Sequence, residues 1–237
     1  MNSSGVIIFS RYDSTRLPGK ALIDIAGRPL LGHIIDRSRK IQGHYKIVVA
    51  TTDRDIDNPI ANFAQKEGID CYRGDLNNVA KRAFYCAKHH NLNAFARIFG
   101  DRVFFSPELV SQYFEIYSSM NVDIVTNANP VTFPPGLTTE IIKTNALEIA
   151  LQRINDEKDM EHLTRYFYRH PEQFNIHNII NNNDLLSSIR LVVDTTEDLN
   201  RAIWIASQFS TSSVASADID QIAKLARQYD NQQEKIQ

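Results

Sequence analysis

The strongest constraint on this chain is an alternation in its first half. Short apolar runs at residues 6–9, 46–50, 69–72, 95–99 and 122–126 take turns with longer amphipathic segments at 29–41, 59–67, 79–89 and 107–120. The short runs are rich in Val, Ile and Phe and read as buried strands. In the 29–41 segment Leu30, Leu31, Ile34 and Ile35 fall on one helical face. Gly68 closes the 59–67 segment, and Ser106-Pro107 supplies an N-cap followed by proline at the first helical position. Strands separated by helices of this length imply βαβ units and a mostly parallel sheet. Ligands of such sheets bind outside the carboxyl ends of the strands. The loops after Phe9, Ala50, Tyr72 and Phe99 are therefore where function is expected.

The second half is less regular. Residues 129–136 hold three prolines and no helical period, and read as a loop that serves as a lid or dimer arm. Beyond it come a strand at 140–143, a helix at 146–153, an aromatic-rich helix at 161–169 and a strand at 189–193. Thr195-Thr196-Glu197-Asp198 resembles a capping box, opening a helix that carries Trp204, and 218–229 forms a last amphipathic helix. The expected fold is α/β: a mostly parallel, Rossmann-like sheet of about seven strands flanked by helices, with a small arm or lid from the second half. Residues 1–237 are read as one domain, with 128–180 contributing the far end of the site and the arm.

Lys and Arg total 26 and Asp and Glu total 28, so nothing marks a general nucleic-acid or membrane-surface binder. The apolar run at residues 6–9 is too short for a secretory core and has no basic flank, and no stretch could span a bilayer. A cytoplasmic protein is expected. Two cysteines, Cys71 and Cys86, do not make a disulfide framework and are expected as reduced, half-buried thiols.

The loop after the first strand, residues 10–20, carries Arg11, Arg16 and Lys20, with Pro18 and Gly19 shaping the backbone before the last of them. Guanidinium forks and an ammonium clamp the charge of a nucleoside triphosphate and stabilise a leaving pyrophosphate. A solvated basic loop is the alternative. A P-loop is excluded, because it would need Gly at Ser14 and Ser or Thr at Ala21.

Arg11-x-x-Ser14-Thr15-Arg16-Leu17-Pro18-Gly19-Lys20 is similar to the signature of the CMP-sugar synthetases. These are the 3-deoxy-manno-octulosonate and acylneuraminate cytidylyltransferases, and the chain looks most like their spore coat polysaccharide protein F branch. The resemblance continues in order: Ala50-Thr51-Thr52-Asp53, Asp57-Asn58-Pro59-Ile60, Tyr72-Arg73-Gly74-Asp75, Gly100-Asp101, Pro135-Gly136-Leu137 with Glu140, Glu161-His162-Leu163-Thr164, Arg169-His170-Pro171-Glu172, and Val193-Asp194-Thr195 with Glu197-Asp198-Leu199.

The resemblance implies a Mg²⁺-dependent cytidylyltransferase that moves CMP from CTP to an acidic sugar or related acid, for surface polysaccharide or glycoconjugate synthesis, as a homodimer. It assigns Arg11, Ser14, Arg16 and Lys20 to the triphosphate, and Thr51, Asp53 and Arg73 to the base and ribose. Asp101 and Asp194 become metal ligands; read alone, the first is a turn aspartate and the second a helix cap. Glu140, His162 and Arg169 fall at the acceptor end. Use of another nucleoside triphosphate, or nucleotide binding without catalysis, are the rival functions. The chain departs from the family at Gly100-Asp101-Arg102-Val103, where a proline-bearing turn is usual, at Asn78-Val79-Ala80, and at Thr138, where the family has Asp. Arg102 adds a cation and Thr138 removes an anion, so the expected acceptor is more anionic or differently shaped than in the spore-coat branch.

Overall fold

A computed structural model of the chain describes residues 3–211 and 213–235. In chain order the elements are β1 (Ser4–Phe9), a short hairpin of β2 (Asp24–Ile25) and β3 (Arg28–Pro29), α1 (Leu30–Ser38), β4 (Lys46–Thr52), α2 (Asn58–Lys66), β5 (Asp70–Gly74), α3 (Val79–His89), β6 (Ala94–Phe99), α4 (Pro107–Ser119) and β7 (Ile124–Thr126). They continue with β8 (Glu140–Lys143), α5 (Thr144–Leu151), α6 (Glu157–Glu161), α7 (Arg165–Arg169), β9 (Ile176–Asn178), α8 (Thr196–Ser207) and α9 (Ile219–Glu234).

Seven strands form one sheet in the order β5-β4-β1-β6-β8-β7-β9. β1 pairs in parallel with β4 and β6, and β4 with β5, whereas β8 runs antiparallel to both β6 and β7. The expected mostly parallel α/β sheet is what forms. Central β1 is buried on both faces, as its unbroken apolar run requires. Val6 and Ile8 join the core beneath α1, α4, α8 and α9, while Ile7 and Phe9 join a second core beneath α3 and α5.

Local signals account for the helix ends. Asn78 accepts from the Lys81 amide and Ser106 from the Leu109 amide. Thr195 and Asp198 close a full capping box at the start of α8. Helix α1 starts at Leu30, because Pro29 is held in the β2–β3 pair.

Two expectations need correction. The helix expected over 161–169 is broken into α6 and α7, because Thr164 turns down to donate to Glu140 Oε1 (2.7 Å) while Leu163 inserts fully into the core. The segment 189–193 is not a strand. Ile189, Leu191 and Val193 alternate inward as a strand would, yet the backbone is tied only at single points, Leu191 N–H to Pro135 O (2.8 Å) and Val193 N–H to Asp101 O (2.9 Å). The seventh strand is instead β9, a half-buried edge strand of Ile176, His177 and Asn178 with no apolar pattern to betray it. The proline-bearing 129–136 segment is a loop, and it packs on the 189–193 segment: a Cβ at Gly136 (φ +106°) would lie 2.7 Å from the Leu191 carbonyl carbon. Both cysteines are free, Cys86 buried and Cys71 partly so. Among the described residues no helix is long and apolar enough to cross a membrane.

Candidate active site

The carboxyl ends of β1 and β6 meet at a point that admits only glycine. Gly100 N–H donates to Phe9 O (2.7 Å), and a Cβ there would lie 2.8 Å from both Phe9 O and Ser10 Oγ. That contact brings the basic loop after β1 against the Asp101 turn after β6. Gly19, at φ +71°, lets the loop fold back so that its N–H reaches Tyr12 O (2.8 Å), and Lys20 then opens a 3₁₀ turn over the site. A second tether comes from the loop after β4. Fully buried Asp57 accepts the Tyr12 amide at 2.7 Å, the Thr52 hydroxyl, and Arg54 at 3.1 Å. Arg54 also pairs with Asp13 at 2.6 Å, which holds the Asp13 carboxyl below its ordinary range.

Lys20 sits between the two aspartates named from sequence. Its Nζ donates to Asp194 Oδ1 (2.7 Å) and to Val193 O (2.9 Å), and lies 3.7 Å from Asp101 Oδ2. Arg16 reaches Asp194 Oδ2 at 3.6 Å from the solvent side. The Val193–Asp101 backbone bond keeps the two carboxylates side by side, and Asp194 takes further support where its N–H meets Asp198 Oδ2 at 3.0 Å. Asp101 Oδ1 is buried and has no hydrogen-bond partner.

These groups line a cavity of about 990 Å³. Arg11, Ser14, Arg16, Lys20, Asp101, Asp194 and His162 all face it, so seven of the residues named from sequence converge. Five do not. Asp53 lines an adjoining pocket of about 350 Å³ with Tyr72, Asp75 and Tyr85. Thr51 is fully buried in β4. Arg73 spends its hydrogen bonds on the loop after β4: Nε to Thr52 O (3.0 Å), Nη1 to Asn58 Oδ1 (2.6 Å) and Nη2 to Arg54 O (2.7 Å). Glu140 is buried behind the cavity against Arg97, and Arg169 pairs with Asp159 at 2.9 Å.

Three residues of the site were not read from sequence. Asp57 stood inside a recognised motif without a role. Arg82, on α3, joins the two pockets; burial lowers its basicity to about 10, and it still donates to Asp75 O at 2.6 Å. Arg97 lies in the apolar run of β6, and a charge in a buried strand was the available signal.

A basic cavity with paired carboxylates, at the strand ends of this sheet, defines an α/β nucleotidyltransferase site. Residues 5–236 match the cytidylyltransferase family, and the chain belongs to it. It is 29% identical over 205 residues to the spore coat polysaccharide biosynthesis protein SpsF of Bacillus subtilis, covering 84% of each chain. A cytidylyltransferase structure from Leptospira borgpetersenii superposes with a TM-score of 0.90 at 25% identity, over 98% of this chain and 96% of that one. The fold is shared more distantly, at TM-score 0.68 and 18% identity over 87% of this chain and 99% of the other, with CMP:2-keto-3-deoxy-manno-octonic acid synthetase complexed with CTP. The protein is thus a nucleotidyltransferase enzyme of the cytidylyl-transferring kind.

Proposed function

We propose that the protein transfers CMP from CTP to an acidic sugar or related acid, releasing pyrophosphate, as a cytoplasmic homodimer serving surface polysaccharide or glycoconjugate synthesis. The observation that carries this reading is Lys20, held between Asp101 and Asp194 at the floor of a basic cavity. The SpsF name and the CTP complex of the octonic acid synthetase support the choice of product class and nucleotide.

In this reading Arg11, Ser14, Arg16 and Lys20 bind the triphosphate, and Arg82 joins them. Asp53 lies beside the base and ribose, while Thr51 and Arg73 hold the loop that carries it. His162 faces the acceptor. Glu140 acts through Arg97, and Arg169 through Asp159. The acceptor oxygen bonds to the α-phosphorus as the bond to the bridging oxygen breaks. Pyrophosphate leaves with that electron pair, and the acceptor's proton passes to water. Fixed cations aimed at the phosphates stabilise the charge that moves onto the leaving group.

The residues fit a Mg²⁺ ion. Two adjacent carboxylates are a usual protein share of a Mg²⁺ shell, and the buried Asp101 Oδ1 lacks any other partner. Mg²⁺ held by Asp101 and Asp194 would supply neutralisation of phosphate charge.

A thermal-shift panel of CTP, UTP, GTP and ATP with Mg²⁺ tests the reading. Ligand at a hundredfold excess over its dissociation constant stabilises by about 2.7 kcal/mol, roughly 5–10 °C for a chain of this size. The expected result is a rise with CTP alone. A rise with a different nucleotide alone, or none at all, overturns the cytidylyl assignment.

A further inference from the structure

Among the described residues three cations approach the carboxylate of Asp194, and they fall into two groups. Lys20 Nζ lies 2.7 Å from Oδ1, and Arg16 Nη1 lies 3.6 Å from Oδ2. Both side chains line the cavity, so an anion that enters it can draw them off the carboxylate. The third cation is Arg190, whose Nη2 lies 3.7 Å from the same Oδ2. Arg190 is not part of the cavity lining, so a ligand there does not pull it away. It comes from the 189–193 segment, where Ile189, Leu191 and Val193 turn into the core and Arg190 stays half-exposed beside Asp194.

What holds Arg190 is Asp198, a residue only 4% exposed. Asp198 takes the guanidinium as a fork, with Nε donating to Oδ1 at 2.8 Å and Nη2 to Oδ2 at 3.1 Å. Oδ2 also accepts the backbone N–H groups of Asp194 (3.0 Å) and Thr195 (3.1 Å). Oδ1 meets Arg201 Nη1 at 3.5 Å, and Arg201 is itself committed to Asp230 on α9 at 2.7 and 2.9 Å. A capping box needs only the two bonds that join Asp198 to Thr195. The Arg190 fork and the Asp194 amide are additional. The opposing pull on Arg190 comes from two carboxylates, Asp194 and Asp101. Freed from Asp198, the guanidinium need move only roughly 1 Å to reach hydrogen-bond distance of Asp194 Oδ2.

Taking Asp194 as a Mg²⁺ ligand of a nucleotidyl-transfer site, as the proposed function does, we propose that Asp198 is a positioning residue that keeps Asp194 available. It sequesters Arg190 and fixes the backbone from which the Asp194 side chain projects. The triphosphate relocates Lys20 and Arg16 when it binds. Asp198 disposes of the one competing cation that the nucleotide does not reach, and it does so without lining the cavity itself.

The test measures, by isothermal titration calorimetry, the affinity for the α,β-methylene analogue of CTP in Mg²⁺ and in EDTA. The ratio of the two is the gain in affinity that Mg²⁺ brings. Asp198→Asn, which keeps shape and an acceptor oxygen but releases Arg190, should lower that gain by about fivefold, the weight of one partly exposed ion pair. The double variant Arg190→Gln/Asp198→Asn should restore it, because the released competitor is gone. Thr195→Ala, which removes the other half of the capping box, should lower Tm yet keep the gain. Should Asp198→Asn fail to fold, Arg190→Gln alone still decides: its gain should stay close to wild type, and a several-fold rise would mean that Arg190 already competes at Asp194, which overturns the inference. A wild-type gain in Asp198→Asn, or a double variant as impaired as Asp198→Asn, overturns it while leaving the cytidylyl reading intact. An analogue that binds wild type equally with and without Mg²⁺ refutes the metal assignment and the inference together, and one that does not bind wild type at all refutes the cytidylyl reading as well.

Discussion

Replacing Lys20 with methionine removes one charge and little volume, and the geometry around the ammonium sets the size of the effect. In the free enzyme Lys20 Nζ is 2.7 Å from Asp194 Oδ1 and 3.7 Å from Asp101 Oδ2, with the three side chains 13%, 30% and 25% exposed. At an effective dielectric of about 20, a pair near 4 Å interacts by roughly 4 kcal/mol; partial exposure brings the net loss in Lys20→Met to roughly 1–3 kcal/mol. That corresponds to a fall in Tm of roughly 2–10 °C for a chain of this size. The same change leaves two carboxylates facing each other without a cation. Mg²⁺ added alone should therefore stabilise Lys20→Met more than wild type, because in wild type the ammonium already holds that position. Pyrophosphate release should fall by about 10²–10³, the usual cost of losing one preorganised group that stabilises transition-state charge. Differential scanning fluorimetry with and without Mg²⁺, beside a coupled pyrophosphate assay, reads all three. A larger Mg²⁺ response in wild type than in Lys20→Met would refute the assignment of Asp101 and Asp194 to one cation site.

Gly100→Ala should cost about 1–3 kcal/mol by urea denaturation and lower turnover at least tenfold, because the new methyl would sit 2.8 Å from the Phe9 carbonyl and force the β1 and β6 ends apart. Far from the cavity, Arg28 donates to both oxygens of Glu67 at 2.8 and 2.9 Å, and these bonds hold the Glu67 carboxyl below its ordinary 4.5. A depressed folded value gives stability that is present above the unfolded value and lost as pH falls through the folded one. Glu67→Gln should therefore cost about 1 kcal/mol near neutrality and progressively less as pH falls below the ordinary carboxylate range, checked by urea midpoints along a descending pH series.

What the sequence revealed and what it hid divide along a physical line. β1, β4 and β6 are buried on the sheet interior, so their apolar runs announce them, and the capping residues Asn78, Ser106 and Thr195 mark helix starts through bonds made within three residues. The cations of the β1 loop and the two aspartates are legible because phosphate chemistry restricts residue type. The break between α6 and α7 is not, since every residue there is compatible with a helix and the cause is a tertiary bond from Thr164 to Glu140. The 189–193 segment has a strand's alternation because it packs on the core, but pairing depends on which edge lies beside it. Seven residues picked out by motif order come together in the cavity, because strand ends gather loops that are far apart in sequence. Arg73 and Arg169 illustrate the limit: an arginine inside a motif reads the same whether it faces a ligand or ties down a loop.

Two kinds of buried arginine coexist in this fold, and their hydrogen bonds tell them apart. Arg37 is fully buried, and its guanidinium reaches the carbonyls of Phe105 (2.6 Å), Val214 (2.8 Å) and Ala217 (3.3 Å), so it pins α1 to the distant 214–217 turn and asks for nothing more. Arg82 and Arg97 are almost as buried, yet each keeps an Nε without a partner, as do Ser10 at its Oγ and Asp101 at its Oδ1, and all four residues line one cavity. An unpaired buried polar atom costs about 1–3 kcal/mol, so a chain shaped for stability alone would pair them. Their concentration at the strand ends means the sheet holds these groups in place against that cost. Because they are already desolvated and oriented, a ligand with matching charge binds without the protein having to reorganise. A satisfied buried cation such as Arg37 is therefore structural, whereas an unsatisfied one facing a cavity, such as Arg82 or Arg97, is part of the site.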